Sequence, residues 1–151
     1  MTDLSNVDEI LNFAIEREQE AADFYNEMAE RAESQAMKDT FTQFAKEELG
    51  HKSKLQGVKG GKRMLSSSRK IADLKLAEYT VAEEPSGDLD YQDALIIAMK
   101  KEKAAFRLYS DLAARVDDAE IEALLLGLAQ EEAKHKLRFE LEYDENVLTE
   151  N

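Results

Sequence analysis

Apolar side chains recur along most of the chain with the alternating three- and four-residue spacing of an amphipathic helix. The pattern predicts four long helices, at about residues 6–32, 35–59, 90–115 and 118–145. Turns between the first two helices and between the last two are short, so each pair forms a helical hairpin. We therefore expect an all-α fold, a four-helix bundle.

The stretch from residue 60 to residue 88 separates the two predicted hairpins. It contains Gly60-Gly61, three consecutive serines and the only proline, Pro85, and it is too long and too broken for a hairpin turn. We expect one long crossover between the second and third helices, with a short helix near residues 71–81. The third helix then runs parallel to the second, and residues 1–151 form a single domain.

A repeat without gaps relates the two halves of the chain. Shifting the sequence by 84 residues places the first pair of predicted helices on the second pair. The halves are therefore two copies of one helical hairpin, with matching positions at the same level of the bundle. The shift superposes Glu18 on Glu102, Tyr25 on Tyr109, Arg31 on Arg115, Glu48 on Glu132 and His51 on His135.

Six ionisable residues occupy positions at which the helical pattern requires an apolar core side chain. The chain has only two histidines, and each follows a glutamate by three residues, on the same helix face. Four carboxylates facing one another in a dry core would repel, whereas two divalent cations would neutralise them. Two glutamates plus two Glu-x-x-His motifs also match the ligand set of dinuclear carboxylate bundles. The predicted metal ligands are Glu18, Glu48, His51, Glu102, Glu132 and His135.

Four further residues lie close to the predicted ligands. Tyr25 and Tyr109 each follow a glutamate ligand by seven residues, two turns along the same face, where they can hydrogen-bond a metal-bound carboxylate of the other half. The alternative is a core tyrosine whose hydroxyl has an unrelated partner. Glu47 and Glu131 directly precede a ligand and are rotated from it by about 100°, so we expect them to face solvent or a neighbouring helix.

Composition excludes several other functions. A formal charge of -13 disfavours nucleic acids and anionic membranes as partners, because like charges repel. The absence of cysteine excludes disulfides, zinc–thiolate sites and iron–sulfur clusters within these residues. No apolar run approaches the roughly 18 residues of a membrane span, and the acidic N-terminus is unlike a signal peptide, so we expect a cytoplasmic location.

Charge and apolar surface are both unevenly distributed. Residues 49–72 carry seven basic and no acidic side chains. This basic segment can dock an acidic protein, or it can lie against the acidic body of its own chain.

Apolar residues such as Ile96, Leu124 and Leu126 widen the faces of the last two helices, so the crossover or another subunit is expected to cover them. We expect a homodimer or a larger homo-oligomer.

The paired motifs Glu-x6-Tyr and Glu-x-x-His, each present twice, resemble the rubrerythrin branch of the ferritin-like superfamily over nearly the whole chain. The resemblance implies a ferritin-like bundle with two iron ions, for which manganese or zinc can substitute. Typical rubrerythrins reduce hydrogen peroxide. The resemblance further implies bridging carboxylates at Glu48 and Glu132, terminal ligands at Glu18 and Glu102, and one histidine for each iron at His51 and His135.

Two features depart from the typical family pattern. A typical rubrerythrin has a cysteine-ligated rubredoxin iron centre, which a cysteine-free chain cannot carry, and an extra carboxylate at the position of Ala105. We therefore expect a non-haem di-iron oxidoreductase without a rubredoxin domain. It would reduce hydrogen peroxide or dioxygen with electrons from an external donor such as a rubredoxin-like protein. Ferritin-like iron oxidation and storage, and a metal-stapled helical interaction module, are the alternatives.

Overall fold

The computed structural model of the protein describes residues 4–81 and 90–150. These residues form long helices joined by short helical segments, and they contain no strand. The all-α four-helix bundle expected from the sequence is confirmed. No helix in the described ranges is long and apolar enough to cross a membrane. The helices are α1 (Leu4–Arg31), α2 (Gln35–Gly61), the one-turn α3 (Ser68–Ile71), α4 (Tyr91–Ala113) and α5 (Ala119–Glu150).

Side-chain caps fix where three of the long helices begin. The Ser34 hydroxyl accepts a hydrogen bond from the backbone N–H of Met37 at 3.1 Å, which caps α2. Asp90 caps α4 in the same way by accepting from the N–H of Asp93 at 2.7 Å. Before α5, the Asp118 carboxylate accepts two backbone hydrogen bonds, at 3.0 and 3.2 Å. These caps satisfy N–H groups that have no partner within the helix.

The core consists of two apolar clusters, one on each side of a polar layer. The first cluster combines the beginnings of α1 and α5 with the ends of α2 and α4. The second combines the end of α1, the beginnings of α2 and α4, and Phe139 of α5. Because α2 and α4 both run from the second cluster to the first, they are parallel, as expected from the long crossover. The closest helix pairs are α1 with α2 and α4 with α5.

The crossover differs from the sequence prediction. Instead of one short helix near residues 71–81, it contains a 3₁₀ turn at Leu65–Ser67, the single turn of α3, and a second 3₁₀ turn at Leu76–Tyr79. Buried Ile71 and Tyr79 attach these pieces to the bundle. Isolated segments this short gain little from helix propagation, so their contacts with the bundle determine their conformation. Residues 82–89 of the predicted crossover lie outside the described residues.

The basic segment, residues 49–72, contacts its own chain. Arg63 forms a two-pronged ion pair with Asp118, with distances of 2.7 and 2.8 Å, and Lys70 lies 2.8 Å from Asp117. Both acidic residues belong to the turn between α4 and α5, so the crossover is tied to the opposite hairpin. The structure therefore shows the second of the two arrangements considered for this segment. These pairs are exposed, and exposed ion pairs contribute little to stability.

The predicted wide apolar face of α4 and α5 is only partly covered. Ile97 is buried, and Leu124 packs against the first apolar cluster. Leu126 stays 43% exposed, and Leu137 and Leu141 of α5 are more than half exposed. α5 also continues to Glu150, five residues beyond the predicted end, because no glycine or proline interrupts its last turns. Assembly with a second copy stays a prediction.

Candidate metal centre

The polar layer between the two apolar clusters brings all six predicted metal ligands together. Each of the four long helices contributes one glutamate, and α2 and α5 each add a histidine one turn later. All six residues are at most 2% exposed. Burial of this many ionisable groups in one layer is costly unless opposite charge is present. The six residues are Glu18 of α1, Glu48 and His51 of α2, Glu102 of α4, and Glu132 and His135 of α5.

The layer contains two overlapping groups of four residues. Within each group, one ligand atom from each residue lies within 4.8 Å of all the others. Both groups contain Glu48 and Glu132, so these carboxylates lie between two possible ion positions. This sharing suits two carboxylate-bridged ions. One group is Glu18, Glu48, His51 and Glu132, and the other is Glu48, Glu102, Glu132 and His135.

Both imidazoles turn Nδ1 towards the shared carboxylates. Nδ1 of His51 lies 3.4 Å from Glu48 Oε1 and 3.1 Å from Glu132 Oε1. Nδ1 of His135 lies 3.2 and 3.8 Å from the same two oxygens. The rings are nearly parallel, with an interplanar angle of 14° and centroids 6.3 Å apart. The two histidines therefore flank the shared carboxylates, one in each half of the centre.

Buried polar atoms without hydrogen-bond partners indicate that the layer can bind metal ions. Buried polar atoms in proteins nearly always have a partner. Here every one of the six residues has at least one buried nitrogen or oxygen without a hydrogen-bond partner. A mixed set of carboxylate oxygens and imidazole nitrogens is a donor set that divalent iron, manganese and zinc accept. The atoms are Glu18 Oε2, Glu48 Oε1, His51 Nδ1, Glu102 Oε2, Glu132 Oε1, and both ring nitrogens of His135.

Without metal, the layer holds protons instead. Burial raises the pKa of both Glu48 and Glu132 well above the usual value, and the neighbouring carboxylates raise it further. For the imidazoles, burial acts to lower the pKa, but the nearby carboxylates outweigh it. They raise the pKa of His51 to about 9 and that of His135 to about 10. Metal binding must therefore displace protons from these residues.

Two tyrosines hold the remaining glutamates from the opposite half of the bundle. Tyr25 of α1 donates a hydrogen bond to Glu102 Oε1 of α4, and Tyr109 of α4 donates one to Glu18 Oε1 of α1. Both side chains are fully buried. Burial, and then the charge of the accepting carboxylate, raises the pKa of each phenol well above its usual value, so each keeps its proton and acts as a donor. This is the arrangement suggested by the two-turn spacing.

Glu47 and Glu131 are partly exposed and each faces a neighbouring helix, as the sequence interpretation expected. The interpretation did not identify what they approach there, which is the outer nitrogen of a histidine ligand. Nε2 of His51 donates a hydrogen bond to Glu131, and Glu47 Oε2 lies 3.6 Å from Nε2 of His135. Partial burial acts to raise the pKa of Glu131, but the hydrogen bond from His51 lowers it overall. Glu131 is thus an ionised acceptor that leaves Nδ1 of His51 for a metal.

The signal for these two acidic residues was present in the sequence. Each histidine motif has a doubled glutamate, Glu-Glu-x-x-His, and both copies are related by the 84-residue shift. The rotation argument alone could not identify their contacts, because these contacts cross between α2 and α5.

Comparison with known proteins agrees with this geometry. The sequence model of the Rubrerythrin family matches residues 9–143, a range that includes all six candidate ligands and both tyrosines. The chain belongs to the rubrerythrin family. Searches of curated proteins and of solved structures gave no significant match. Family membership indicates an oxidoreductase, and the buried cluster of glutamates and histidines is compatible with the di-iron site of rubrerythrins.

Proposed function

We propose that the protein is a non-haem di-iron oxidoreductase that reduces hydrogen peroxide with electrons from an external donor. The observation that supports this most is the layer of six buried ligands with two shared carboxylates, in a chain of the rubrerythrin family. Two adjacent Fe(II) ions supply the two electrons needed to cleave the O–O bond of peroxide. Manganese or zinc can occupy such a donor set as well.

The protein side chains position the two ions and the groups around them. Glu48 and Glu132, which belong to both groups, would help to hold both ions, while Glu18 and Glu102 would each help to hold one. The buried phenols of Tyr25 and Tyr109 hold those terminal carboxylates in place. Each therefore acts as a positioning residue rather than as a proton source.

Apolar surroundings separate most of the layer from bulk water, and one cavity between α1 and α4 adjoins it. The two apolar clusters close it off along the bundle axis on both sides. In such a site, electrostatic interactions are stronger than in water, and reactive species are protected from side reactions.

Electrons must come from outside the 151 residues. These residues contain no cysteine, so they hold no cysteine-ligated iron centre that could pass electrons to the buried layer. A rubredoxin-like protein is the donor that we propose. Repeated reduction of peroxide then requires such a donor and its reductase.

Stopped-flow oxidation of the reconstituted di-Fe(II) protein tests the proposal. We expect hydrogen peroxide to oxidise the protein faster than dioxygen does, with about one peroxide consumed per chain in the absence of a donor. Adding a rubredoxin and its reductase should restore continuous turnover. The zinc-loaded protein is the control, because Zn(II) supplies no electrons. Faster oxidation by dioxygen, together with uptake of many irons per chain, would favour iron storage instead.

A further inference from the structure

A cavity of about 140 Å³ adjoins the metal centre. It lies between α1 and α4, beside residues 79–81 of the crossover. Its lining includes all four glutamates of the centre, so a molecule in this cavity lies next to the candidate ligands. The four are Glu18, Glu48, Glu102 and Glu132.

The cavity is larger than hydrogen peroxide requires. Peroxide has only two heavy atoms, whereas a cavity of about 150 Å³ in a protein core holds benzene. Part of this volume lies against the four glutamates, where the two ions would be held, and the rest is lined by apolar side chains that can contact a small organic group.

Small side chains keep this space open. Ala21 and Ala105 each follow a terminal glutamate by three residues, so each lies one turn along the same helix face. They are related by the 84-residue shift, and both line the cavity. Ala104, Leu108 and Phe13 are among the other apolar lining residues. A larger side chain at position 21 or 105 would occupy the volume next to the ligands.

Arg17, Glu20 and Lys101 are the charged lining residues other than the four glutamates. The Arg17 guanidinium lies 2.8 Å from Glu20 and 4.7 Å from the centre of the Phe13 ring. The Lys101 ammonium lies 5.8 Å from the centre of the Phe24 ring. Two divalent ions would balance the four carboxylates of the layer, and Arg17 pairs with Glu20, so Lys101 carries the one net charge among the lining residues. The apolar side chains beside the glutamates, Ala21 and Ala105 among them, favour an uncharged guest with an apolar body.

We infer that the cavity admits the organic group of a small alkyl hydroperoxide, which makes this class a substrate alongside hydrogen peroxide. The inference rests on the proposed function. The O–O bond of ROOH breaks, and uptake of two electrons and two protons yields ROH and water. The two ferrous ions supply the electrons, the external donor replaces them, and solvent supplies the protons. The alkyl group lies against Ala21 and Ala105, with the O–O group towards the metal layer.

Binding can be tested without turnover. In the zinc-loaded protein, tert-butyl alcohol, the product of tert-butyl hydroperoxide, should shift the NMR signals of the Ala21 and Ala105 methyl groups. Ala105→Leu should abolish the shift at Ala21, and Ala21→Leu should abolish the shift at Ala105. The exposed Ala123→Leu, which is not among the residues lining the cavity, is the matched control and should keep both shifts. Zinc content of two per chain shows that each variant retains its fold at the centre.

Kinetics of the di-Fe(II) protein then test the substrate class. The ratio of the oxidation rates with tert-butyl hydroperoxide and with hydrogen peroxide should fall at least tenfold in Ala105→Leu or Ala21→Leu, and should be unchanged in Ala123→Leu. An unchanged ratio in both cavity variants, or the absence of methyl shifts in the wild-type protein, would overturn the cavity inference while leaving peroxide reduction intact. Failure of both peroxides to oxidise the wild-type protein would overturn the proposed function and this inference with it.

Discussion

The two halves of the metal centre supply the same ligands but support their histidines differently. In one half, Nε2 of His51 donates a hydrogen bond to Glu131. In the other half, Glu47 is 3.6 Å from Nε2 of His135, and that nitrogen has no hydrogen-bond partner. Instead, the ring of Phe44 stacks on His135 with centroids 3.9 Å apart. The residue related to Phe44 by the 84-residue shift is a leucine.

This difference distinguishes the types of ligand that the centre needs from the way in which each imidazole is oriented. The ligand atoms must be the same in both copies of the hairpin, because each ion needs its own glutamate and histidine beside the shared pair. The orientation of each imidazole can be fixed by a carboxylate or by a stacked ring. A carboxylate also makes the imidazole a stronger ligand. We therefore expect the half that contains His51 and Glu131 to bind its ion more tightly.

The largest effect should come from removing a shared ligand. Glu48→Ala or Glu132→Ala should abolish binding of both ions, whereas Glu18→Ala or Glu102→Ala should leave one. The metal-free variants should stay folded, because losing a buried carboxylate also relieves repulsion. Iron per chain after anaerobic reconstitution measures this, with circular dichroism to verify folding. Wild-type iron content in the Glu48 and Glu132 variants would show that these residues are not ligands.

Removing the metal should reverse how stability depends on pH. The folded-state pKa values of His51 and His135, about 9 and about 10, exceed the unfolded value of 6.5. The folded state therefore binds more protons, so this stabilisation is complete below pH 6.5 and is lost as pH rises towards 10. The raised pKa values of Glu48 and Glu132 act in the same direction. Metal binding, in contrast, strengthens as these groups lose protons.

Urea unfolding of the metal-free protein between pH 7 and pH 10 measures this dependence. The free energy of unfolding should decrease as pH rises. The double variant His51→Gln, His135→Gln is the control, and its slope should be smaller because the contribution of the two imidazoles is lost. A wild-type free energy that increases over this range would contradict the account.

Substitution of the two outer carboxylates, Glu131 and Glu47, should lower metal affinity to different extents. Glu131→Gln should lower metal affinity in its half by about 10- to 100-fold, the usual range for a group that orients a histidine ligand. Glu47→Gln should have a smaller effect, because its carboxylate is beyond hydrogen-bond distance of His135. Competition titration with a chelator measures both affinities. Equal losses in the two variants would remove the proposed asymmetry.

The smallest effect is expected where the two halves are alike. Tyr25→Phe and Tyr109→Phe each remove one buried hydrogen bond to a terminal glutamate. Each should weaken metal binding by about 1 kcal/mol, or roughly fivefold, and the two losses should match. Competition titration with a chelator measures the metal affinity of both variants. A loss confined to one variant would show that the tyrosines do not have equivalent roles.

Periodicity was enough to predict the helices and the six residues of the buried polar layer from the sequence. A charged residue at a core position of an amphipathic helix is costly, so Glu18 and Glu102 stand out against the apolar stripe that surrounds them. The gap-free repeat then places matching residues at one level. These are local signals that require no knowledge of how the helices pack.

Contacts between helices could not be predicted in the same way. The hydrogen bond between His51 and Glu131 depends on the packing of α2 against α5, which no spacing along a single helix encodes. The crossover was predicted to contain one short helix, but its conformation follows from where Ile71 and Tyr79 are buried. The cavity beside Ala21 and Ala105 likewise depends on side chains from separate elements.

Anaerobic titration of the metal-free protein with Fe(II) tests whether the six buried residues form a dinuclear centre. We expect an end point of two irons per chain, reached in two steps, with the tighter step lost in Glu131→Gln. Reconstitution from the metal-free state excludes zinc carried over from expression. An end point below one iron per chain would contradict a dinuclear centre built from these six residues.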